Sequence, residues 1–421
     1  MAPAWVLLDR FVDLSPFDGQ EEESEDMGES VPAGMRSVKA DLQVADPPSV
    51  SSLSLLLPRK AMNEVRDAML MCASKNLVVF YAGSYYPITS RPGCYLLYDA
   101  ISNSLIPVPQ LPSPNSVSSF GIGTSVVSLG GGGSAYVLAE LLMIDGRKFP
   151  DAALFTWWSS AEATPRRYTT AHWVKEEVSL PHEVCTSDYY FVSDMTFSFG
   201  ESCLCWVDLL IGIVVCDLLP SQDQPRFRFI PLPEGCSLDI SSRRRPIMTV
   251  FRSVSCADGA IKFLTMEGYD EGWHAEEMKL TTWKLSPDLS EWKKGPVCGA
   301  RDIWASEKYI AMGLSPISPM CPVLSVLDDD VVWVVMNDVD LVEYFEGEHR
   351  TIKIKTQYFL SIDMRLKQVL SITQLHPQTS IHPVLNLVAC EFGAHLDRSK
   401  DRQGMVERND ADENTKKMKL K

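Results

Sequence analysis

Short apolar segments separated by polar turns recur along most of this 421-residue chain. The segments are rich in β-branched and aromatic residues, and the turns contain Asp, Asn, Ser, Pro or Gly, which favour tight reversals of the backbone. The clearest examples are CYLLYDAISNSLIPVPQLP from Cys94, ALFTWWSSAEATPRRYTT from Ala153, LCWVDLLIGIVVCDLL with RFRFIPLP from Leu204, LTTWKLSPDLSEWKKGP from Leu280 and YFLSIDMRLKQVLSITQLHP from Tyr358. This pattern predicts a series of β-hairpins and an all-β fold.

Four further segments have the same strand, polar turn and strand pattern. They are AMLMCASKNLVVFYAG, DYYFVSDMTFSFG, IMTVFRSVSCADGAIKFLTMEG and SVLDDDVVWVVMND. Helical spacing of apolar residues is confined to residues 59–73, where Met62, Val65 and Met69 recur at intervals of three or four. Residues 59–73 are therefore predicted to be either one surface helix or the segment that leads into a strand.

The most apolar run, CLCWVDLLIGIVVCDLL at residues 203–219, fits a soluble core better than a membrane. A membrane-spanning helix needs about 20 predominantly apolar residues, and this run is shorter and contains Asp208 and Asp217. Residues 204–207 and 213–216 have strand composition, and Gly212 offers the positive φ that a short hairpin loop favours. The run is predicted to be a buried β-hairpin.

The spacing of the hairpins favours a radial array of four-stranded sheets, a β-propeller of about six blades with few helices. The predicted organisation is an N-terminal strand at residues 1–17, an acidic disordered loop at 18–34, the propeller at 35–394 and a disordered charged tail at 395–421. The segment WVLLDRFV is expected to pair with strands from the C-terminal region and so to close the ring.

Three segments carry a resemblance to a known family. WVLLDRFV, the hairpin CWVDLLIGIVVCDLL with FRFIPLP, and YFLSIDMRLKQV resemble the plant family with the domain of unknown function 1618, over about residues 4–390. Tyr98, Asp99, Leu111 and Pro112 are also similar to a pattern in the kelch-like propellers that follow F-boxes, although no F-box-like helical segment precedes residue 90. The resemblance implies a propeller-like fold and brings no catalytic residues with it.

Composition narrows the classes of partner and compartment. The chain has 39 basic and 55 acidic residues and a formal charge of −16, which disfavours nucleic acid and anionic membranes. The eleven cysteines are an odd number and lie mostly in apolar runs, and the N-terminus lacks the basic and apolar regions of a signal peptide. We therefore expect a monomer in the cytoplasm, the nucleus or both, with a weak import signal in the closing lysines.

Candidate chemistry is sparse, and no catalytic, metal-binding or cofactor-binding residue is predicted. Cys203 and Cys205 form a C-x-C pair that is expected to pack beside Trp206, and the histidines of HPQTSIHP lack a nearby third ligand. Carboxylates at Asp208, Asp217 and 328–330 are expected to accept hydrogen bonds in turns. The basic segment at 243–246 and the glycines at 130–133 are expected to be loops.

Two functions of different class follow from this sequence. The first is a non-enzymatic scaffold that binds a protein or peptide through loops at the propeller rim, with no cofactor. The second is a hydrolase or lyase with carboxylates in the central channel. Convergent ionisable residues in the channel would favour the enzyme, whereas an apolar or plugged channel would favour the scaffold.

Overall fold

The computed structural model describes residues 3–17, 35–62, 65, 67–83, 94–112, 117–129, 135–144, 150–159, 172–184, 189, 191–218, 225–236, 247–257, 259–268, 275–343, 350–375 and 386–396. Strands make up 61% of the described residues, which also include three short helices. The strands form six blades arranged as a β-propeller, which confirms the predicted all-β fold. The predicted acidic loop at 18–34 and the tail beyond residue 396 lie outside the described residues.

The strands follow one another in chain order around the ring. The N-terminal segment contains β1 (Val6–Asp9), β2 (Asp13–Phe17), β3 (Lys39–Gln43) and β4 (Ser52–Pro58). The first blade is β5 (Ala68–Ser74), β6 (Leu77–Ala82), β7 (Cys94–Asp99) and β8 (Ser104–Val108), and the second is β9 (Val117–Leu129), β10 (Ala135–Ile144), β11 (Asp151–Trp158) and β12 (Trp173–Ser179).

The remaining blades repeat this plan. The third is β13 (Met195–Phe199), β14 (Cys203–Asp208), β15 (Gly212–Asp217) and β16 (Arg226–Pro231), and the fourth is β17 (Arg252–Ala257), β18 (Ala260–Glu267), β19 (Lys279–Leu285) and β20 (Trp292–Gly299). The fifth is β21 (Pro319–Leu324), β22 (Val331–Glu343), β23 (Arg350–Asp363) and β24 (Gln368–Leu375), and β25 (Leu387–Cys390) follows it.

The sixth blade joins the two ends of the chain. Strand β1 pairs antiparallel with β25, with Leu7 opposite Ala389. A parallel bridge from Leu8 to Ser51 connects β1 to the segment before β4, and β2 and β3 pair with the two edges of β4. The resulting order is β25, then β1 with β2, then β4 and β3. The expected partner of the N-terminal strand is therefore present at the C-terminal end of the propeller.

Apolar layers between neighbouring blades form the core. Val6 and Leu8 pack in the layer between the sixth and first blades, whereas Trp5 and Leu7 pack in the layer between the sixth and fifth. This division follows from the alternation of side chains along a strand, which places successive residues on opposite faces. Strand β1 therefore contributes to both of the layers that hold its blade in place.

The buried hairpin predicted at residues 203–219 is confirmed as β14 and β15, whose registers pair Cys203 with Asp217 and Asp208 with Gly212. Glycine is required at 212 mainly for space, because a Cβ there would lie 2.3 Å from the Ile230 carbonyl oxygen of β16. Trp206 packs between the second and third blades, on the opposite face from Cys203 and Cys205. The expectation that the cysteines pack beside Trp206 is therefore wrong.

Helices are short and peripheral in the described part of the chain. They are α1 (Arg59–Met62), α2 (Ala300–Trp304) and α3 (Glu307–Ala311). Of the two predictions for residues 59–73, the segment that leads into a strand is the closer, since the described residues there form a single helical turn, Arg59–Met62, followed by β5. The predicted hairpin at 188–200 contains a single regular strand, β13, in its described residues. None of the helices described has the length and apolar character needed to cross a bilayer.

Candidate functional site

An axial cavity of about 390 Å³ lies where the inner strands of the blades meet. Strands β5, β13, β17, β21 and β25 and the turns that follow them contribute its wall, together with Arg10 from the end of β1. Among the described residues, no residue of β9 lines the cavity. Hydroxyls of the first and third blades meet instead, with Ser74 Oγ and Ser198 Oγ 2.6 Å apart.

Arg10 is the one buried cation of the described cavity wall, with 2% of its surface exposed. Its backbone N–H donates to the Asn386 carbonyl (3.0 Å), and its Nη1 donates to the carbonyls of Leu70 (3.2 Å) and Met71 (2.8 Å). The residue therefore links the sixth blade to the first. Burial lowers the pKa of the guanidinium to about 10, against smaller raising effects of Cys72, Asp194 and Asp9, so the group is charged at neutral pH.

Hydroxyl groups supply most of the remaining polarity of the wall. Ser253 is buried, and Thr196 Oγ1 donates to the Thr124 carbonyl at 2.6 Å. The Ser255 Oγ is inaccessible to solvent and has no hydrogen-bond partner in the structure. A buried hydroxyl without a partner costs about 1–3 kcal/mol, so Ser255 is a position that a ligand or a water molecule would stabilise.

The two ends of the axial cavity differ in width and in the charged residues beside them. At the wider end the cavity is bordered by exposed Lys75 and Glu201, in the turns after the inner strands of the first and third blades, and by half-buried Glu391. The narrower end is a hollow of about 10 Å³ beside Arg252 and Asn386. There the two terminal nitrogens of Arg252 donate hydrogen bonds to the carbonyls of Leu209 (2.7 Å) and Cys236 (2.6 Å).

The cysteine thiols in and behind the wall are poor nucleophiles. Burial raises the pKa of Cys72 to about 12, and burial together with the charge of Glu391 raises the pKa of Cys256 to about 11. Both thiols therefore remain protonated at neutral pH, and the thiolate is the reactive form. The ten cysteines of the described chain form no disulfide bond.

The aspartates that the sequence singled out in the hairpin stabilise turns outside the cavity. Asp208 is fully buried and accepts hydrogen bonds from the Tyr189 hydroxyl (2.5 Å), the Val192 amide (2.8 Å) and the Leu210 amide (2.9 Å). Asp217 is half-buried and accepts one from the Ser202 hydroxyl at 2.7 Å. The expected role of these carboxylates as turn acceptors is confirmed.

The acidic run at 328–330 has a different role from the one expected. Asp329 forms ion pairs with Lys262 (2.5 Å) and Lys284 (2.9 Å) of the fourth blade, and Asp330 pairs with Arg365 (2.9 Å). Hydrogen bonds from Lys262 and Lys284 lower the pKa of Asp329 to about 2. The run therefore connects the fourth and fifth blades as well as forming a turn.

The other candidate groups are dispersed. Cys203 and Cys205 both face the layer that continues into the fourth blade. His376, His382, the basic segment at 243–246 and the glycines at 130–133 lie outside the described residues. Within the part of the chain that the structure describes, no three His, Cys, Asp or Glu side chains are grouped as metal ligands.

Sequence reasoning missed the residues that give the cavity its polarity. Arg10 seemed only to interrupt an apolar N-terminal run, and Ser255 is one of several serines in a strand. The signal available in the sequence was the position of Arg10. Together with Asp9, it follows the four apolar residues Trp5 to Leu8. A long charged side chain at such a position must bend to a surface or enter an internal cavity.

Comparison with known families supports part of the resemblance inferred from sequence. A family described as "Protein of unknown function (DUF1618)" matches residues 206–333, from the second strand of the third blade to the second strand of the fifth. No curated protein matches the chain.

Solved structures similar to the chain share little sequence with it. The catalytic domain of Coprinopsis cinerea GH62 alpha-L-arabinofuranosidase is 12% identical, covers 86% of this chain and 92% of its own, and has a TM-score of 0.26. The polysaccharide lyase Uly1 is 10% identical, with coverages of 87% and 79% and a TM-score of 0.33. AofleA from Arthrobotrys oligospora is 10% identical, with coverages of 92% and 90% and a TM-score of 0.33. Likeness at these TM-scores carries no argument about activity.

Proposed function

We propose that this propeller is a non-enzymatic scaffold that binds a protein or peptide through the loops around the wider end of the axial cavity. The observation that carries the proposal is the contrast between two groups of charged residues. Asp208, Asp217 and Asp329 are held in turns and ion pairs outside the cavity, whereas the charged residues Lys75 and Glu201 lie exposed at its border. Exposed loop residues on a rigid framework are typical of binding surfaces.

The charge pattern suggests how such a surface would recognise its partner. Lys75 and Glu201 come from different blades and carry opposite charges, so a peptide that crosses the cavity border would meet both. Oppositely charged positions at a rim mainly set orientation and association rate. We propose the cytoplasm or nucleus as the compartment, since the cysteines of the described chain form no disulfide, which suits a reducing environment.

A peptide-display selection against the purified full chain tests the proposal. Enriched peptides are expected to lose at least about tenfold in affinity when both border charges are reversed in the variant K75E/E201K. Lys293→Glu is the matched control, because Lys293 is exposed on β20, away from the cavity. Peptides that bind wild type and the K75E/E201K variant equally would refute a binding surface at this border.

The alternative is a hydrolase or lyase, and one observation favours it. Glu201 and Glu391 both line the axial cavity, and paired carboxylates are what acid–base cleavage of a glycosidic bond requires. Activity on a panel of polysaccharides that disappears in both Glu201→Gln and Glu391→Gln would establish the enzyme. Identical rates for wild type and both variants would exclude this pair as the catalytic residues.

A further inference from the structure

The wall of the axial cavity contains a buried positive charge that forms no ion pair with a described residue. Arg10 has five N–H donors, and Nη1 accounts for both of its side-chain hydrogen bonds, to Leu70 and Met71. Those are its side-chain hydrogen bonds among the described residues, and no described carboxylate forms an ion pair with it. A buried charge in this state is costly unless something else compensates it.

A second polar group in the same wall lacks a hydrogen-bond partner. Ser255 Oγ is inaccessible to solvent and makes no hydrogen bond, although the residue lines the cavity together with Arg10. Arg10 comes from the sixth blade and Ser255 from the fourth, so two separate parts of the ring contribute polar residues to the wall of one cavity. An anionic occupant would compensate the buried charge of Arg10, whereas an apolar one would leave it uncompensated.

The rest of the wall limits the kind of occupant. Val254, Leu324 and Val388 are aliphatic residues of the wall, and the cavity volume of about 390 Å³ is typical of small-molecule sites rather than of large cofactors. A guanidinium preferentially binds planar oxyanions, above all carboxylates, through two parallel hydrogen bonds. The wall therefore suits a molecule with one carboxylate and a short apolar body.

We propose that the axial cavity is a binding site for a small organic acid, whose carboxylate pairs with Arg10 and whose body packs against the aliphatic wall near Ser255. This site goes beyond the proposed peptide surface and does not depend on it, because the ligand lies inside the ring and not on its loops. The site would also stabilise the contact of the sixth blade with the first, since Arg10 connects them.

Calorimetric titration and thermal unfolding of the purified full chain test the site. The probes are sodium benzoate, hexanoate and succinate at constant ionic strength, each compared with its uncharged amide. At least one acid is expected to bind and to raise the melting temperature, because a ligand that binds only the folded state stabilises it. The amides are expected to bind at least about tenfold more weakly, since they lack the charge that Arg10 pairs with.

Variants then locate the binding. Arg10→Met is expected to weaken the acid at least about tenfold, and Ser255→Leu, which fills the cavity without changing charge, is expected to abolish binding. Arg252→Met is the matched control, because Arg252 is also buried and also donates to two carbonyls, but it lies at the narrow end. The affinity of the Arg252→Met variant for the acid should remain within about twofold of wild type.

Three results would overturn the site. They are the absence of binding by all three acids, equal binding of acid and amide, and unchanged affinity in Ser255→Leu. The last variant keeps Arg10, so the test holds even if Arg10→Met fails to fold. Acid binding that persists in the K75E/E201K variant would separate this cavity from the peptide surface, so that either proposal can fail alone.

Discussion

The third blade has four strands, the sixth combines five short ones, and the two blades are built in different ways. The third blade is one continuous stretch in which β13, β14, β15 and β16 pair in chain order. The sixth combines β25 from one end of the chain with β1, β2, β4 and β3 from the other, and its β2–β4 pairing is parallel. One blade depends on short turns, whereas the other depends on contacts between residues almost 400 positions apart, such as Leu7 with Ala389.

This difference separates two sources of stability. In the third blade a buried aspartate organises a turn through three hydrogen bonds, so the blade is specified locally. In the sixth blade Leu7 and Leu8 are almost completely buried, on opposite faces of one short strand, and Arg10 bonds to the first blade. We infer that the ring closes only after the other blades have formed, because distant segments have a larger entropy of closure.

Removing the closing strand should have the largest effect. Val6, Leu7 and Leu8 are each fully or almost fully buried. Deletion of residues 1–14 removes them and exposes the apolar side chains that pack against them. At about 1.5–3 kcal/mol per buried aliphatic side chain, the free energy of unfolding should fall by at least about 5 kcal/mol, and the melting temperature by about 6 °C. Differential scanning calorimetry measures both.

The control for this deletion is Asp13→Ala, which changes an exposed residue of the same segment. Its melting temperature is expected to remain within about 2 °C of wild type. A deletion variant with the same melting temperature as the wild type would mean that the N-terminal strand contributes nothing to closure of the ring. The contrast with the third blade would then disappear.

Truncating the turn aspartate of the third blade should have an intermediate effect. Asp208→Ala removes the acceptor of three hydrogen bonds and leaves buried donors behind, for an expected loss of about 3 kcal/mol. Asp217→Ala, in the same hairpin, removes one bond from a half-buried residue and should cost about 0.5–1 kcal/mol. Urea denaturation of both variants compares them, and equal losses would contradict local specification by Asp208.

The ion pair between the fourth and fifth blades should have the smallest effect, and that effect should depend on pH. Asp329→Asn leaves Lys262 without its main partner, but Asp329 is 56% exposed, so solvent screening reduces the expected loss to about 1 kcal/mol at pH 7. The folded-state pKa of about 2 lies below the unfolded value of about 3.9. The stabilisation is therefore complete above about pH 5 and is lost as the pH falls through about 2.

Unfolding curves of wild type and Asp329→Asn at several pH values between 7 and 2 check this dependence. Asp328→Asn is the matched control, since the neighbouring Asp328 is exposed and forms no ion pair in the described structure. A stability difference that stays constant down to pH 2, or one shared by the control, would refute the assigned role of Asp329.

Local patterns predicted the regular blades well. Strand composition and turn residues located β14 with β15 and β19 with β20, because each hairpin is stabilised by residues a few positions apart. The same reasoning failed for residues 188–200, where the segment before β13 is held by Asp208 from another strand. It also placed Trp206 on the wrong face, although the two-residue period of a strand separates it from Cys205.

The candidate site was much less predictable. The cavity is formed by inner strands of several blades, so residues that are adjacent in space, such as Arg10 and Met71, are far apart in sequence. No spacing rule connects such positions, and a single serine such as Ser255 resembles any other strand serine. The carboxylates that could be singled out from sequence are those in turns, because turn chemistry is local.

Complementation by a peptide tests whether the N-terminal strand closes the ring. A synthetic peptide of residues 1–14 is titrated into the chain that lacks them, and a peptide with Leu7→Asp is the control. The first peptide is expected to restore the melting temperature in a saturable manner and the second is not, because Leu7 packs between the sixth and fifth blades. A lowered melting temperature that neither peptide changes, or that both raise equally, would mean that the strand does not close the ring.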